Sequence, residues 1–200
     1  MPLKVDHNTR RLEIADAALD AIAERGLDAV RLVDIAHATA ATTGQIVHYF
    51  PDKDAVLLAA LDAIMEQLLA RDGQPESAEE LLSALADALP LDTERRRQWN
   101  IWLQFASRAS HNPSFASRHA HYYRQITRDV ACSLSRVVDR RSNAEVLADA
   151  IVAVVDGIGV RATLEPKDWP ASRQKALLEF MLKPMLGLPP SSRKPPRTRK

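Results

Sequence analysis

The strongest constraint on how this chain folds is the stretch Leu32 to Lys53, LVDIAHATAATTGQIVHYFPDK. Ile35 and Ala36 supply the apolar side of a first short helix. A tight turn follows, and Thr42 stands where its side-chain oxygen caps a second helix. Ile46 and Phe50, four residues apart, share a face suited to burial. Thr43, Gln45, Val47, His48 and Tyr49 then point elsewhere. A third helix starts after Pro51. The result reads as a DNA-binding helix-turn-helix, because hydroxyls, an amide, an imidazole and a small apolar group on one face suit the base edges and phosphates of a major groove.

The segment resembles the DNA-binding domain of the tetracycline-repressor (TetR) family. That family places a Gly after its first helix, Ile-Ala in the second, and a run like Ser-x-Gly-x-Leu-Tyr-x-x-Phe-x-x-Lys across the third helix into the fourth. Gly26, Ile35, Ala36, Thr42, Gly44, Ile46, His48, Tyr49, Phe50 and Lys53 fall on this pattern in register, over the first quarter of the chain. On this reading Gln45, Val47 and His48 supply sequence readout, with Thr43 beside them, while Thr42, Tyr49 and Lys53 hold phosphates. Arg31 takes a position where the family has a Ser or Thr that caps the second helix and touches a phosphate. A guanidinium has no acceptor to cap with, which leaves Asp28 as an alternative cap. Ala40 stands where the turn usually has Gly, so a positive φ there would cost roughly 1–2 kcal/mol through its Cβ. Val47 replaces a frequent Tyr and removes one phosphate-binding hydroxyl.

The rest of the chain is read from its periodicity. With 200 residues and 46% hydrophobic content it can bury a substantial core. Alternating strand-like runs do not recur, whereas Ala and Leu recur at helical spacing, so the fold is expected to be all-α with about nine helices. The expected organisation is a three-helix DNA-binding domain over 1–53, a helical ligand-binding and dimerisation domain over 54–187, and a basic tail over 188–200. Residues 1–53 carry six Lys/Arg against eight Asp/Glu, a net acidic balance that argues against strong non-specific DNA affinity. Binding would lean on positioned contacts and on pairing of two chains. The tail SSRKPPRTRK adds five positive charges among Pro and Ser, a composition that favours disorder.

Several functions are excluded by what the sequence lacks. The single cysteine, Cys132, cannot form an internal disulfide and reads as a small packed residue. MPLKVDHNTRR has no apolar signal core, and AIVAVVDGIGV is broken by Asp156 and too short for a bilayer, so a cytoplasmic protein without membrane contact is expected. The histidines form no metal constellation; His119 and His121, two apart, face different sides of a helix. No nucleophile elbow, phosphate loop or dinucleotide fingerprint occurs. No catalytic residue, metal or cofactor is expected, and the chain is read as not an enzyme.

Helix 1 is expected from Asn8 to Arg25, with Leu12, Ala15, Leu19 and Ile22 facing Val30, Ile35, Ile46 and Phe50. Helix 4 should run from Asp52 to a stop at Asp72-Gly73, as the covalent lever between reader and sensor. Helices 5 (Ser77 to Leu89) and 6 (Thr93 to Ser110) follow. Helix 7 starts at Asn112-Pro113 and runs to about Arg140, with Pro at its first position where the missing N–H matters least. Trp99, Trp102, Phe105, Tyr122 and Tyr123 are the aromatic candidates for an effector pocket, a packed core being the alternative. Helix 8 (Asn143 to Leu164) and helix 9 (Trp169 to Leu186) are apolar on more than one face and so should be buried on more than one side. Val152, Val155, Gly159, Ala162, Leu177, Met181 and Met185 are assigned to a four-helix seam between two copies.

WNIWLQFASRASHNPSFASRH and VVDGIGVRATLEP, with the run Asp156 to Gly159, resemble the sensing domain of the BetI-like branch, named for a choline-responsive repressor. The combined expectation is a homodimeric transcriptional regulator, most simply a repressor, released from a palindromic double-stranded DNA operator by a small-molecule effector. Helices 6 and 7 offer no acid among their aromatic stripes, which favours an apolar or aromatic effector over a cationic one. The rival reading is a helical enzyme or protein-interaction module in which residues 31–53 form an ordinary helical corner.

Overall fold

The computed structural model describes residues 7–69, 74–138 and 143–190, and these hold nine α-helices and no strand. In order they are α1 His7–Arg25, α2 Leu32–Ala38, α3 Thr43–Tyr49, α4 Lys53–Leu69, α5 Ala78–Asp87, α6 Thr93–Ala109, α7 Pro113–Val137, α8 Ala144–Leu164 and α9 Ala171–Met185. The expected stop at Asp72-Gly73, the end of helix 7 at Arg140 and the basic tail from residue 191 lie outside the described residues.

The chain forms two compact units, Met1–Arg71 with Asn100–Ala120, and Asp72–Trp99 with His121–Lys200. Helices α6 and α7 each pass through both, so the first unit extends beyond residue 53 to take in α4 and the facing halves of α6 and α7. In this unit α1 packs chiefly on α4 and also against α2 and α3. Ile14, Ala15, Ala18, Leu19 and Ile22 of α1 are buried with Val30, Ile35, Ile46, Phe50, Val56, Leu57, Ala60 and Leu61. Leu12 is 54% exposed, contrary to its expected place in the core. The inward position belongs instead to Arg11, which precedes Ala15, Ala18 and Ile22 at helical spacing and lays its guanidinium over the Phe50 ring, 4.1 Å from the centroid.

Gly26 ends α1 with φ +86°, its N–H donating to Ile22 O at 2.8 Å. That is a left-handed helix stop open to glycine at no steric cost.

In the second unit α5, α8 and α9 meet around Leu81, Leu85, Leu89, Ile151, Val155, Ile158, Ala162, Leu178 and Leu182, joined by Leu134 of α7. Trp169 closes the α8–α9 connection. Its indole N–H donates to Glu165 Oε2 at 3.2 Å, and the guanidinium groups of Arg161 and Arg173 lie 4.8 and 4.4 Å from its ring centre. The Arg161 guanidinium, bonded to Glu165, holds that carboxyl below its ordinary pKa. Gln174, fully buried, ties the start of α9 to Trp169 O at 2.8 Å and Pro90 O at 3.3 Å.

Candidate functional site

The α2–α3 corner is built by side chains that close helix ends. At the start of α2, Arg31 is the N-cap residue but accepts no bond; Asp34 reaches back instead, its Oδ2 taking the Arg31 N–H at 2.9 Å. The alternative of Asp28 as cap is thus replaced by Asp34. The Arg31 guanidinium also pairs with Asp34 Oδ1 at 3.2 Å, and this bonding holds the Asp34 carboxyl below the usual carboxylate range.

Two residues past α2, Ala40 adopts φ +49° and is the one non-glycine residue with positive φ among those described. The turn therefore does require the left-handed region, and Ala40 carries the expected strain. At α3 a full capping box forms: Thr42 Oγ1 accepts from Gln45 N at 3.2 Å, and Gln45 Oε1 accepts from Thr42 N at 2.8 Å.

That box fixes which side chains face outward. Thr42, Thr43, Gln45, Val47 and His48 are exposed, Tyr49 is half-buried, and Ile46 and Phe50 are buried. Thr42, Gly44, Gln45, His48 and Tyr49, together with Arg10 of α1, line an open depression of about 470 Å³. His7, His48 and Tyr49 group their rings beside it, with His7 and Tyr49 4.7 Å apart at their centres. Gln45 enters this face with its carbonyl oxygen already engaged, so its amide N–H groups are what it presents. Lys53 donates to Asp28 O at 3.0 Å, and the exposed Arg31 is paired to Asp34. A phosphate would compete with both contacts.

Residues outside the motif brace it, and these carried no signal in the motif's own spacing. Arg11 donates to Tyr49 O, and Arg10 donates to Thr39 O at 3.1 Å while pairing with Glu13. From α6, Gln104 Oε1 accepts the Leu27 N–H at 2.6 Å, capping the turn between α1 and α2. One turn further along α6, Arg108 donates to Asp28 Oδ1 at 3.0 Å and to Asp54 Oδ1 at 2.9 Å. Asn112 takes the other Asp54 oxygen at 3.1 Å, and Arg118 of α7 pairs with Asp62 of α4. The turn before α2 and the start of α4 are thus held by the same guanidinium.

The five candidate effector aromatics divide between the two units. In the first, Trp102 stacks on His119 with ring centres 4.9 Å apart, and the fully buried Phe105 stacks on Phe115 at 6.0 Å. Partial burial pushes the His119 imidazole below its ordinary pKa. In the second, Trp99 donates its indole N–H to Ala88 O at 2.8 Å, Tyr122 is buried, and the Tyr123 hydroxyl donates to Asp156 Oδ2 at 2.7 Å. Asp156 lies on α8, an acid that inspection of helices 6 and 7 alone overlooks.

The seven residues assigned to a seam between copies are also split. Val152, Val155, Gly159 and Ala162 are buried within one chain, Leu177 and Met185 are half-buried, and Met181 is exposed. Gly159 meets the Trp99 ring, and a Cβ there would collide with it. The close approach that this glycine permits is therefore to an indole of its own chain. The outward side of α8 instead presents Val146, Ala153, Gly157 and Leu164, and α9 presents Phe180 and Met181.

Comparison with known proteins agrees with this architecture. Residues 14–60 match the family described as bacterial regulatory proteins, tetR family, and residues 77–187 match the BetI-type transcriptional repressor C-terminal domain. The chain is 30% identical to the HTH-type transcriptional regulator BetI of Escherichia coli, over 84% of this chain and 89% of that protein. A transcriptional regulator from Rhodococcus superposes with a TM-score of 0.77 at 28% identity, covering 88% of this chain and 95% of its own. A regulator from Saccharomonospora viridis, solved in complex with choline, superposes with a TM-score of 0.76 at 24% identity, covering 88% and 96%. A capped reading helix matched by one family model and a helical C-terminal domain matched by the other make this chain a member of the TetR family, a transcriptional regulator with a BetI-type C-terminal domain.

Proposed function

We propose that the protein acts as a homodimeric repressor that leaves a palindromic operator when a small organic effector binds its C-terminal domain. The observation that carries the DNA-reading part is the face of α3. Its capping box holds Thr42, Thr43, Gln45, Val47 and His48 outward from a buried Ile46 and Phe50. Gln45, Val47 and His48 read bases, while Thr42, Tyr49 and Lys53 engage phosphates, with Arg31 at the same edge. A base reader is worth about 1–3 kcal/mol at its own position, whereas a phosphate contact weakens all sequences alike when lost.

Dimerisation follows from the apolar residues that α8 and α9 leave exposed. Leu164, Phe180 and Met181 are 68%, 59% and 41% exposed, and Ala153 and Gly157 of α8 are exposed as well. Such a patch on two neighbouring helices is suited to burial against its own copy. Two copies then place two recognition helices on successive major-groove turns of an inverted repeat.

The effector reading rests on Trp99, Tyr122 and Tyr123 of the second unit, an aromatic set that favours an apolar or aromatic body. Choline, present in the Saccharomonospora regulator, is the natural first probe. Fluorescence anisotropy with DNA flanking the protein's own gene tests the proposal. Specific, salt-sensitive binding to an inverted repeat, weakened by an effector, supports it; no preference over scrambled DNA refutes the DNA-reading part.

A further inference from the structure

Asp156 has no cationic partner among the described residues. Its partner among the described residues is the neutral Tyr123 hydroxyl, 2.7 Å from Oδ2, and no cation pairs with it. Burial pushes the carboxyl above its ordinary pKa, which the Tyr123 bond only partly opposes. An asparagine would accept the same bond from Tyr123 without a charge to desolvate. Among the described residues, no protein donor reaches the second carboxylate oxygen of Asp156.

An aromatic ring lies on the same side of α8. Gly159, one turn along α8 and so on the same side of it, is covered by the Trp99 ring. The Trp99 N–H is occupied by Ala88 O, which fixes the indole plane and turns its polar edge away from Asp156's neighbourhood. Tyr123, Asp156 and Trp99 are each half-buried, so each keeps part of its surface open to solvent.

We propose that Asp156, oriented by Tyr123 and flanked by Trp99, receives the N–H of a protonated primary or secondary organic amine carrying an apolar body. A protonated amine supplies both the missing charge and a donor to the free oxygen, and such charge-assisted bonds are about twice as strong as neutral ones. A fully methylated ammonium supplies charge without the donor. An alcohol supplies the donor without the charge. This assignment deepens the effector reading above and rests on it for its biological meaning, but ligand binding to the free protein is independent of DNA.

Calorimetric titration of the full-length protein with 2-phenylethylamine, its N,N,N-trimethyl derivative and 2-phenylethanol separates these chemistries on one apolar body. The amine should bind at least about tenfold more tightly than either of the other two, the loss of one charged hydrogen bond corresponding to that factor or more. Asp156→Asn should bring the amine's affinity down to that of the alcohol while unfolding at the same or a higher temperature than the unaltered protein, because the uncompensated charge is gone. Tyr123→Phe should weaken amine binding and leave alcohol binding unchanged. Equal affinity for the three probes, no amine binding at millimolar concentration, unaltered amine affinity in Asp156→Asn, or a marked fall in that variant's unfolding temperature would each overturn the proposal. Loss of operator binding with amine binding intact would count against the DNA reading alone.

Discussion

At the scale of single residues, the proposed reading face sets its own stability against the use assigned to it. Ala40 holds φ +49° in a turn where a Cβ is unfavourable. Replacing it with glycine removes that strain but loosens the unfolded chain, so Ala40→Gly should stabilise the protein by about 0.5–1 kcal/mol. Urea unfolding checks this, and a destabilised variant would show that the turn tolerates Ala without strain. Gln45 serves as a cap and is also assigned a base-reading role in the proposal. Gln45→Ala should lose half of the capping box, about 0.5–2 kcal/mol, as well as any base contact. Gln45→Glu keeps an acceptor for Thr42 N–H but removes the amide donors, so it should retain thermal stability and lose DNA affinity with relaxed preference at one base pair. Anisotropy titrations against single-base operator variants would show both effects; unaltered affinity in Gln45→Glu would remove this residue from the readout.

At the scale of helices, most of the pattern is legible in the sequence, and the departures have a common cause. The capping box at Thr42, the stop at Gly26 and the buried pair Ile46 and Phe50 are local, since each is set by residues a few positions apart. Helix 7 begins at Pro113 for the same reason. Arg11 over Phe50, and Gln104 and Arg108 holding the turn before α2, depend on which polar side chain reaches which group across the fold. Spacing along the chain does not carry that information. Gly159 illustrates the limit: a small residue on an apolar helix signals close approach, but not to what, and the neighbour is Trp99. Gly159→Ala should therefore overpack the core of a single chain, costing about 1–3 kcal/mol, and chemical denaturation should show the loss without any change in association state.

The α6 brace leads to two further expectations. Arg108→Met should cost about 1 kcal/mol, because Asp28 is exposed and Asp54 partly so. If Arg108 acts only by holding Asp28 and Asp54, the variant should weaken operator binding without altering the salt slope. A reduced slope in a salt titration would place Arg108 on the DNA instead. His119, stacked on Trp102, has a folded pKa below its ordinary value. The unfolded chain then takes up a proton that the folded protein declines, so stability should fall as pH drops through about 6.5 towards the lower folded value. Thermal unfolding across that window should show the loss, and His119→Phe should flatten it.

At the scale of the whole molecule, the proposed function requires two copies, and the surface we assign to their pairing is the outward side of α8 and α9. Met181→Glu and Gly157→Glu should each place a desolvated charge in that seam and yield folded monomers by sedimentation velocity. A charge at the buried Val155 should unfold the protein instead. The central claim, that α3 reads an inverted repeat as one member of a symmetric pair, is tested most directly by measuring binding of the full-length protein to its flanking DNA. The measurement compares an intact inverted repeat with a single half-site, across a range of salt concentrations. The account predicts specific binding to the repeat at two chains per duplex, much weaker binding to the half-site, and affinity that falls steeply with salt. Equal affinity for repeat, half-site and scrambled duplex would contradict it.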